Sequence, residues 1–387
     1  MNLRRVATLA HKEWREILRD RLYLALAFVM PILLMFVFSY GISLDVRHSA
    51  LAVIDHDRTD YSRAYTDRFR TSEYFDFKAE AEGERAIEGL FADGRARVVL
   101  VIPGDFQKDL MAGHPVAVQT FIDGSFTSTR PARALEGYVD AVNAAASFDL
   151  MTAHLARALG ISRERAAAML RPIELEVRYL YNPELRSIWS VAPSLIMFVT
   201  IFVAPMLMAL GVVREKESGA IYNVYASTIR RSEFLAGKLV PNVAISFVNA
   251  AILWFIASVY FGAPFKGSVV WFTVGTFLYV LCATGIGLVL SLLVATQQAV
   301  LIIAAVVATI VGMQYSGMFT PVPSMTGFPW VLAHSFPAMY YLDVVEGSFL
   351  KGLAFSGLFV DLGVLAAFAV GYLLLAYTLF HKRLSSV

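Results

Sequence analysis

VVREKESGAIYNVYASTIRRSEFLAGK occupies positions 212–238 and sets an island of charge between two long apolar runs. A helix needs roughly 20 apolar residues to cross a hydrocarbon layer. Six stretches reach that length: 22–43, 188–213, 239–261, 269–295, 299–319 and 359–380. The 387 residues are 57% hydrophobic and 17% charged, whereas soluble domains carry about 25% charged residues. The chain therefore reads as an α-helical polytopic membrane protein with six transmembrane helices. Between Asp45 and Arg186 lie 22 of the 31 acids and 18 of the 33 bases. That concentration marks a soluble domain, 44–187, inserted between the first and second spans. A net charge of +2 gives no reason to expect nucleic acid as a partner.

Lys and Arg near span ends set orientation, because they stay on the cytoplasmic side. The N-terminal segment holds Arg4, Arg5, Lys12, Arg15, Arg19 and Arg21, the island Arg214, Lys216, Arg230, Arg231 and Lys238, and the C-terminus Lys382 and Arg383. Six spans put these 13 bases on one side, against Lys266 and Lys351 in the opposite short loops. Both termini and the island are then expected in the cytoplasm, and the inserted domain outside. The first apolar run is too long, and too far from the start, for a secretory signal. Segment 1–21 reads as an amphipathic helix in the inner interface, with Leu3, Val6, Leu9, Ala10, Trp14, Ile17 and Leu18 at helical spacing among Lys12, Arg15 and Arg19. A simple anchor before the first span fits it equally.

The inserted domain reads as mixed α/β. Strands are expected at 51–55, 97–103, 116–123 and 173–181, and a long helix over about 131–159, stopped by Gly160 and followed by the N-cap Ser162. Asp55, His56 and Asp57 offer metal-ligand atoms, but in an extended segment Asp55 and Asp57 share a face while His56 points away, so an Asp-rich turn is the better reading. No G-x-S-x-G, H-E-x-x-H or cysteine pair occurs, so neither a catalytic set nor a metal site is expected, and Cys282 reads as a small buried apolar residue. No G-x-x-x-x-G-K-[ST] loop occurs either, since Ser232 stands where the first glycine before Gly237-Lys238 belongs. If ATP drives this chain, another polypeptide must bind it.

Polar side chains at membrane depth need partners or water. Asn242 and Asn249, near one face of the third span, read as interhelical glue. Gln297 and Gln298 sit in a tight inner turn. Gln314, beside Met313 and Tyr315, reads as a candidate for a substrate route, together with Phe198, Phe202, Met206 and Met208 on the second span; helix packing and lipid contact would use the same residues. Segment 320–356 is rich in proline yet apolar. Its short helical pieces, 330–335 and 339–349, are expected to be re-entrant or interfacial, capping the outer end of the bundle.

With these features placed, the sequence resembles the permease subunit of ABC-2 type exporters. The residues that carry the resemblance are GVVREKESGAIYNVYAST with SEFLAGKLVP, and FTPVPSM with SFPAMYYLDVVEGSFLKG. The layout of one span, a large outside domain and five further spans also matches. One departure is Thr228, where the family often has proline after the small residue near Ser227. The resemblance implies a bacterial inner-membrane protein in a dimer with a second copy or a paralogue. It implies cytoplasmic ABC ATPase subunits that use ATP and Mg, and outward movement of drugs, lipids or similar amphipaths. A periplasmic adaptor is a further partner it allows.

The island is read as the ATPase-coupling segment, 214–238. Ile221, Val224 and Tyr225 form an apolar face on a short helix, beside Tyr222 and Gly219, and this face is expected to dock on the ATPase. An Arg214 to Glu217 pair at i,i+3 is available, but an exposed pair contributes only about 0.5 kcal/mol, too little to explain the run. Glu215 or Glu217 is therefore expected to meet a base of the N-terminal segment, such as Arg15 or Arg19, with Gly237 and Lys238 completing the segment. A membrane-anchored receptor or scaffold is the alternative function, and an adjacent ATPase gene would discriminate against it.

Overall fold

The computed structural model describes residues 2–41, 48–81, 83–112, 114–123, 129–170, 181–182 and 186–380; the side chains of residues 129–134 and of Tyr225 lie outside that description. The chain divides into two compact units, Met1–Ile42 with Tyr179–Val387, and Ser43–Arg178.

In the first unit, six helices are long and apolar enough to cross a membrane: Arg21–Gly41, Ser187–Glu217, Arg231–Tyr260, Val269–Leu293, Gln297–Gln314 and Phe355–Leu379, here spans 1 to 6. Spans 2 and 3 run further into the charged island than hydropathy indicates. Arg, Glu and Lys are good helix formers, so loss of apolar character does not end a helix. The chain breaks instead at Gly219, whose φ of 76° suits a residue without Cβ. Span 2 has 31 residues, about 46 Å at 1.5 Å per residue. It outlasts a hydrocarbon core of roughly 30 Å, and its last turn lies beyond it.

Span 2 is also the centre of the bundle: 89% of its most apolar stretch is buried, against 28% for span 1 and 22% for span 6. Span 4 approaches it backbone to backbone. A Cβ on Gly287 would lie 2.4 Å from the Pro205 carbonyl oxygen and 2.6 Å from its Cα, so only glycine fits there. In the segment after span 5, helices Phe328–His334 and Pro337–Glu346 stand near the two expected pieces. The second is packed into the bundle. Tyr341 is fully buried, stacks on Tyr279 of span 4 at 4.1 Å and bonds Thr276 through its hydroxyl at 2.9 Å. Cys282 is buried and donates to the Leu365 carbonyl at 3.2 Å.

The second unit holds a four-stranded sheet in the order β2-β1-β3-β4, with β1 Ser49–Asp55, β2 Phe75–Glu80, β3 Val98–Ile102 and β4 Gln119–Ile122. β1 is parallel to β2 and β3; β4 runs antiparallel to β3. Both faces are covered, so alternate residues enter different cores. Leu51, Val53, Leu100 and Ile102 pack with Tyr65, Phe69 and Val139, while Ala52, Ile54, Val99 and Val101 pack with Ile87 and Leu90. The expectations at 51–55, 97–103 and 116–123 correspond to β1, β3 and a shorter β4. β2 went unread, and residues 171–180, with most of the strand expected at 173–181, lie outside the description. Helix Thr129–Leu159 stops at Gly160, φ 61°, and Ser162 Oγ then accepts from Arg165 N at 3.3 Å. Asp55 is occupied as a turn acceptor, from Asp57 N at 3.0 Å, Arg58 N at 2.9 Å and Ser62 Oγ at 2.7 Å.

Candidate functional site

The four consecutive charges Arg214–Glu217 end span 2, and each meets a different part of the bundle. Arg214 pairs with Asp20, between the N-terminal helix Leu3–Arg19 and span 1. Glu215 Oε1 lies 3.2 Å from Lys12 Nζ and 3.0 Å from Lys238 Nζ. Lys216 donates to the closing carbonyls of span 4, those of Ser291, Leu292 and Val294. A helix end leaves such carbonyls without intrahelical partners, and an ammonium there satisfies them. Glu217 accepts from Gln297 at the opposite kind of end, the first N–H of span 5 at 2.9 Å, and from the Gln297 side-chain amide. Residues on a helix are spaced by about 100°, so one turn of alternating charge reaches four neighbours.

This arrangement decides among the pairings that the sequence leaves open. Arg214 and Glu217 do not pair with each other, because each has a partner off the helix. Glu215 does meet a base of the N-terminal segment, as expected, but that base is Lys12 and not Arg15 or Arg19. Of the apolar face on Ile221–Ala226, two residues are packed into the bundle. Ile221 is 3% exposed, and Val224 packs against a cluster that includes Met208, Val212, Phe234 and Phe380. The bundle's own apolar end is the surface that Val224 meets. Tyr222, 57% exposed, remains at the surface; the side chain of Tyr225 lies outside the description.

The N-terminal helix is bound to span 3 through a buried charge cluster. Lys238 is 5% exposed and Glu13 4% exposed. Lys238 Nζ lies 2.5 Å from Glu13 Oε2 and donates to the Gly211 carbonyl at 3.2 Å. Burial pushes the Glu13 carboxyl above its ordinary range, against the opposing pull of Lys238. Burial would lower the Lys12 ammonium, but Glu215 and then Glu16 outweigh it and hold it above its ordinary value. Gly237 makes the approach possible: a Cβ there would lie 2.6 Å from Leu9 Cβ. The polar chain continues through Asn242, which donates to the Lys238 carbonyl at 2.9 Å and receives the Tyr23 hydroxyl of span 1 at 2.5 Å. Asn242 thus joins spans, whereas the buried Oδ1 of Asn249 has no hydrogen-bond partner among the described residues. Glu233 closes the far end of the helix, accepting from Asn2 N at 2.8 Å and Arg230 N at 3.0 Å.

Glu13 was missed by the sequence reading. The available signal was an acid midway between Leu9 and Ile17, at i+4 and i−4 on the buried stripe. The single apolar stripe expected on this helix is in fact two. Val6, Leu9, Ala10 and Ile17 lie on the packed side, while Leu3, Trp14 and Leu18 stay exposed on a neighbouring side, Trp14 by 38%. Oxygens of Glu13, Glu16 and Glu215 come within 4.8 Å of one another. Lys12 and Lys238 already supply their positive charge, which disfavours a cation there.

The sequence model for ABC-2 family transporter proteins matches residues 21–378, all six spans together with the inserted unit. The chain belongs to the ABC-2 transporter family. It is similar to the probable multidrug ABC transporter permease YbhS of Escherichia coli strain K12, 28% identical, with 99% of this chain and 98% of that protein covered. The probable multidrug ABC transporter permease YbhR of the same strain is 24% identical over 98% of this chain and 99% of its own length. The inner membrane transport permease YhhJ, also of that strain, is 22% identical over 100% and 99%. These relatives are permeases.

In this ABC-2 chain the residues chosen for a substrate route are not gathered around one opening. Phe198 and Met206 are buried in the packing of span 2. Phe198 meets Phe38 of span 1 edge-on at 5.3 Å and lies against Gly312 of span 5. Phe202 and Met313 are half-buried, and Gln314 is exposed. One opening lies at the other end of the spans. It is a cleft of about 690 Å³ between the N-terminal helix, the start of span 1, the end of span 2 and Gln297.

Proposed function

We propose that this chain is the membrane-spanning subunit of an ATP-driven exporter, moving an amphipathic or hydrophobic substrate such as a drug or lipid out of the cytoplasm or inner leaflet. It works as a dimer with a second copy or a paralogue. ATP and Mg are used by a separate cytoplasmic ABC ATPase. The names of YbhS and YbhR support the drug reading, and the name of YhhJ supports the inner membrane. The excess of bases at the ends that carry the termini and the island supports a cytoplasmic location for them, and the outside for the α/β unit.

One observation carries this reading: the island is joined through Arg214–Glu217 to the N-terminal helix and to spans 3, 4 and 5. A membrane anchor for a receptor needs no such junction, whereas a subunit driven from the cytoplasm does. The ATPase contact lies on the exposed side of the island helix, at Tyr222. Coexpression with the ATPase and transport of a fluorescent amphiphile into inverted vesicles test the assignment. Tyr222→Asp should lose the ATPase from the purified complex and abolish uptake. An intact, active complex would refute this contact, and uptake independent of ATP would refute the exporter.

A further inference from the structure

The cleft at the end of spans 1 and 2 is layered. On span 2, Leu210 and Arg214 line it one turn apart; on span 1, Leu26 and Leu22 line it above Arg21. Both helices thus present apolar side chains toward the bilayer interior and charge at its boundary, in the same order along the membrane normal. A cleft with this order matches the amphipathic profile of a lipid rather than that of a soluble anion.

Four bases and four acids line the cleft, but they are not paired one to one. Glu13 and Glu215 are held by Lys238, Glu215 and Glu16 by Lys12, and Asp20 by Arg214. Among the described residues, no ion pair holds Arg19 or Arg21, and both line the cleft. The bend at Asp20 sets them on either side of the junction. Asp20 has an extended ψ of 102° and accepts from Leu22 N at 3.0 Å and Tyr23 N at 3.1 Å, so span 1 starts anew there. Two guanidiniums beside an apolar wall make a site for a phosphodiester with acyl chains attached. Guanidinium matches phosphate oxygens in geometry as well as charge.

We propose that this cleft binds one anionic glycerophospholipid of the adjoining leaflet, its phosphate between Arg19 and Arg21 and an acyl chain along Leu22, Leu26 and Leu210. The lipid is a resident of the junction between the N-terminal helix and span 1, whatever cargo the protein moves. The site differs from general attraction of bases to a membrane, because Arg4 and Arg15 on the same helix lie outside it.

Thermal unfolding of the purified full chain, titrated with phosphatidylglycerol or phosphatidylcholine, tests this. Two bases near an anionic surface should favour phosphatidylglycerol by roughly thirtyfold in the concentration for half-maximal stabilisation. Arg19→Gln with Arg21→Gln should remove that preference, and Arg4→Gln with Arg15→Gln should keep it. Equal loss in both double variants would overturn the site in favour of diffuse charge, as would the absence of any preference in the unsubstituted chain. Glycerol 3-phosphate producing the same stabilisation would also overturn it, since the acyl wall would then be idle. If the first double variant does not fold, native mass spectra of the unsubstituted chain with equimolar lipids decide. Preferential retention of one phosphatidylglycerol supports the site, and equal retention refutes it.

Discussion

Lys238 and Glu13, 225 residues apart in sequence, meet at 2.5 Å with both side chains 6% exposed. The pair fastens the N-terminal helix to the third span where neither residue can turn to water. Burying a charge pair is not a strong source of net stability, but removing one partner strands the other, at a cost of about 3–5 kcal/mol. Lys238→Met should therefore destabilise the chain strongly. Adding Glu13→Leu should recover most of that loss, because the stranded carboxylate is then gone. Thermal unfolding in detergent of the two single variants and the double variant measures the coupling; simple additivity would count against the pair.

Gly237 sets the distance between the same two helices. Gly237→Val should push against Leu9 and cost about 1–3 kcal/mol, the usual range for overpacking. Leu9→Ala should relieve it. Failure of this rescue would mean that the glycine serves another purpose.

Gly287 and Gly371 lie on spans 4 and 6 and differ in what a methyl group would meet. At Gly287 it meets the Pro205 backbone, and at Gly371 nothing within 4 Å. Backbone cannot rotate aside. Gly287→Ala should lower the melting temperature markedly, while Gly371→Ala should leave it unchanged or raise it by the helix preference of alanine, about 1 kcal/mol. Similar effects from both would overturn the close crossing of spans 2 and 4.

Asp20 gives a pH-dependent test. The hydrogen bond from Tyr23 N, helped by Arg214 and Leu22 N, holds its carboxyl below the usual value of 3.8. A group depressed on folding adds stability that is present above its unfolded value and is lost as pH falls through the folded one. Asparagine keeps the helix cap but not the charge. Asp20→Asn should therefore be less stable than the unsubstituted chain at neutral pH, by at most about 1 kcal/mol for so exposed a pair. The gap should close below pH 3.8; a gap that widens in acid would contradict the assignment.

Length and hydropathy made the six spans legible, because crossing a bilayer demands a run that little else demands. The strands β1 and β3 were legible because both faces are buried and their sequences are continuously apolar. β2, FDFKAE, is an edge strand with one face polar, and its alternation is diluted by charge. In the island, residue types pointed to a junction, but not to which partner each would take. Lys12 and Arg15 look alike in sequence, and only the docking angle of the helix selects Lys12. The short apolar face was visible too. Amphipathicity says that a face will be covered, not by what, and here Ile221 is buried and Val224 packs on the bundle.

Charge alternates along Arg214, Glu215, Lys216 and Glu217, and their four surroundings alternate in the opposite sense: a carboxylate, two ammoniums, a ring of carbonyl oxygens, a pair of amide donors. Rotating span 2 about its own axis by one residue, in either direction, would confront like with like at three of the four contacts and bring Val213 or Ser218 to the fourth. The turn thus works as a keyed coupling. It forbids slippage in azimuth while permitting span 2 to tilt or slide together with whatever it holds. A push delivered to the island would accordingly emerge as the displacement of a block of helices, with no twist lost on the way.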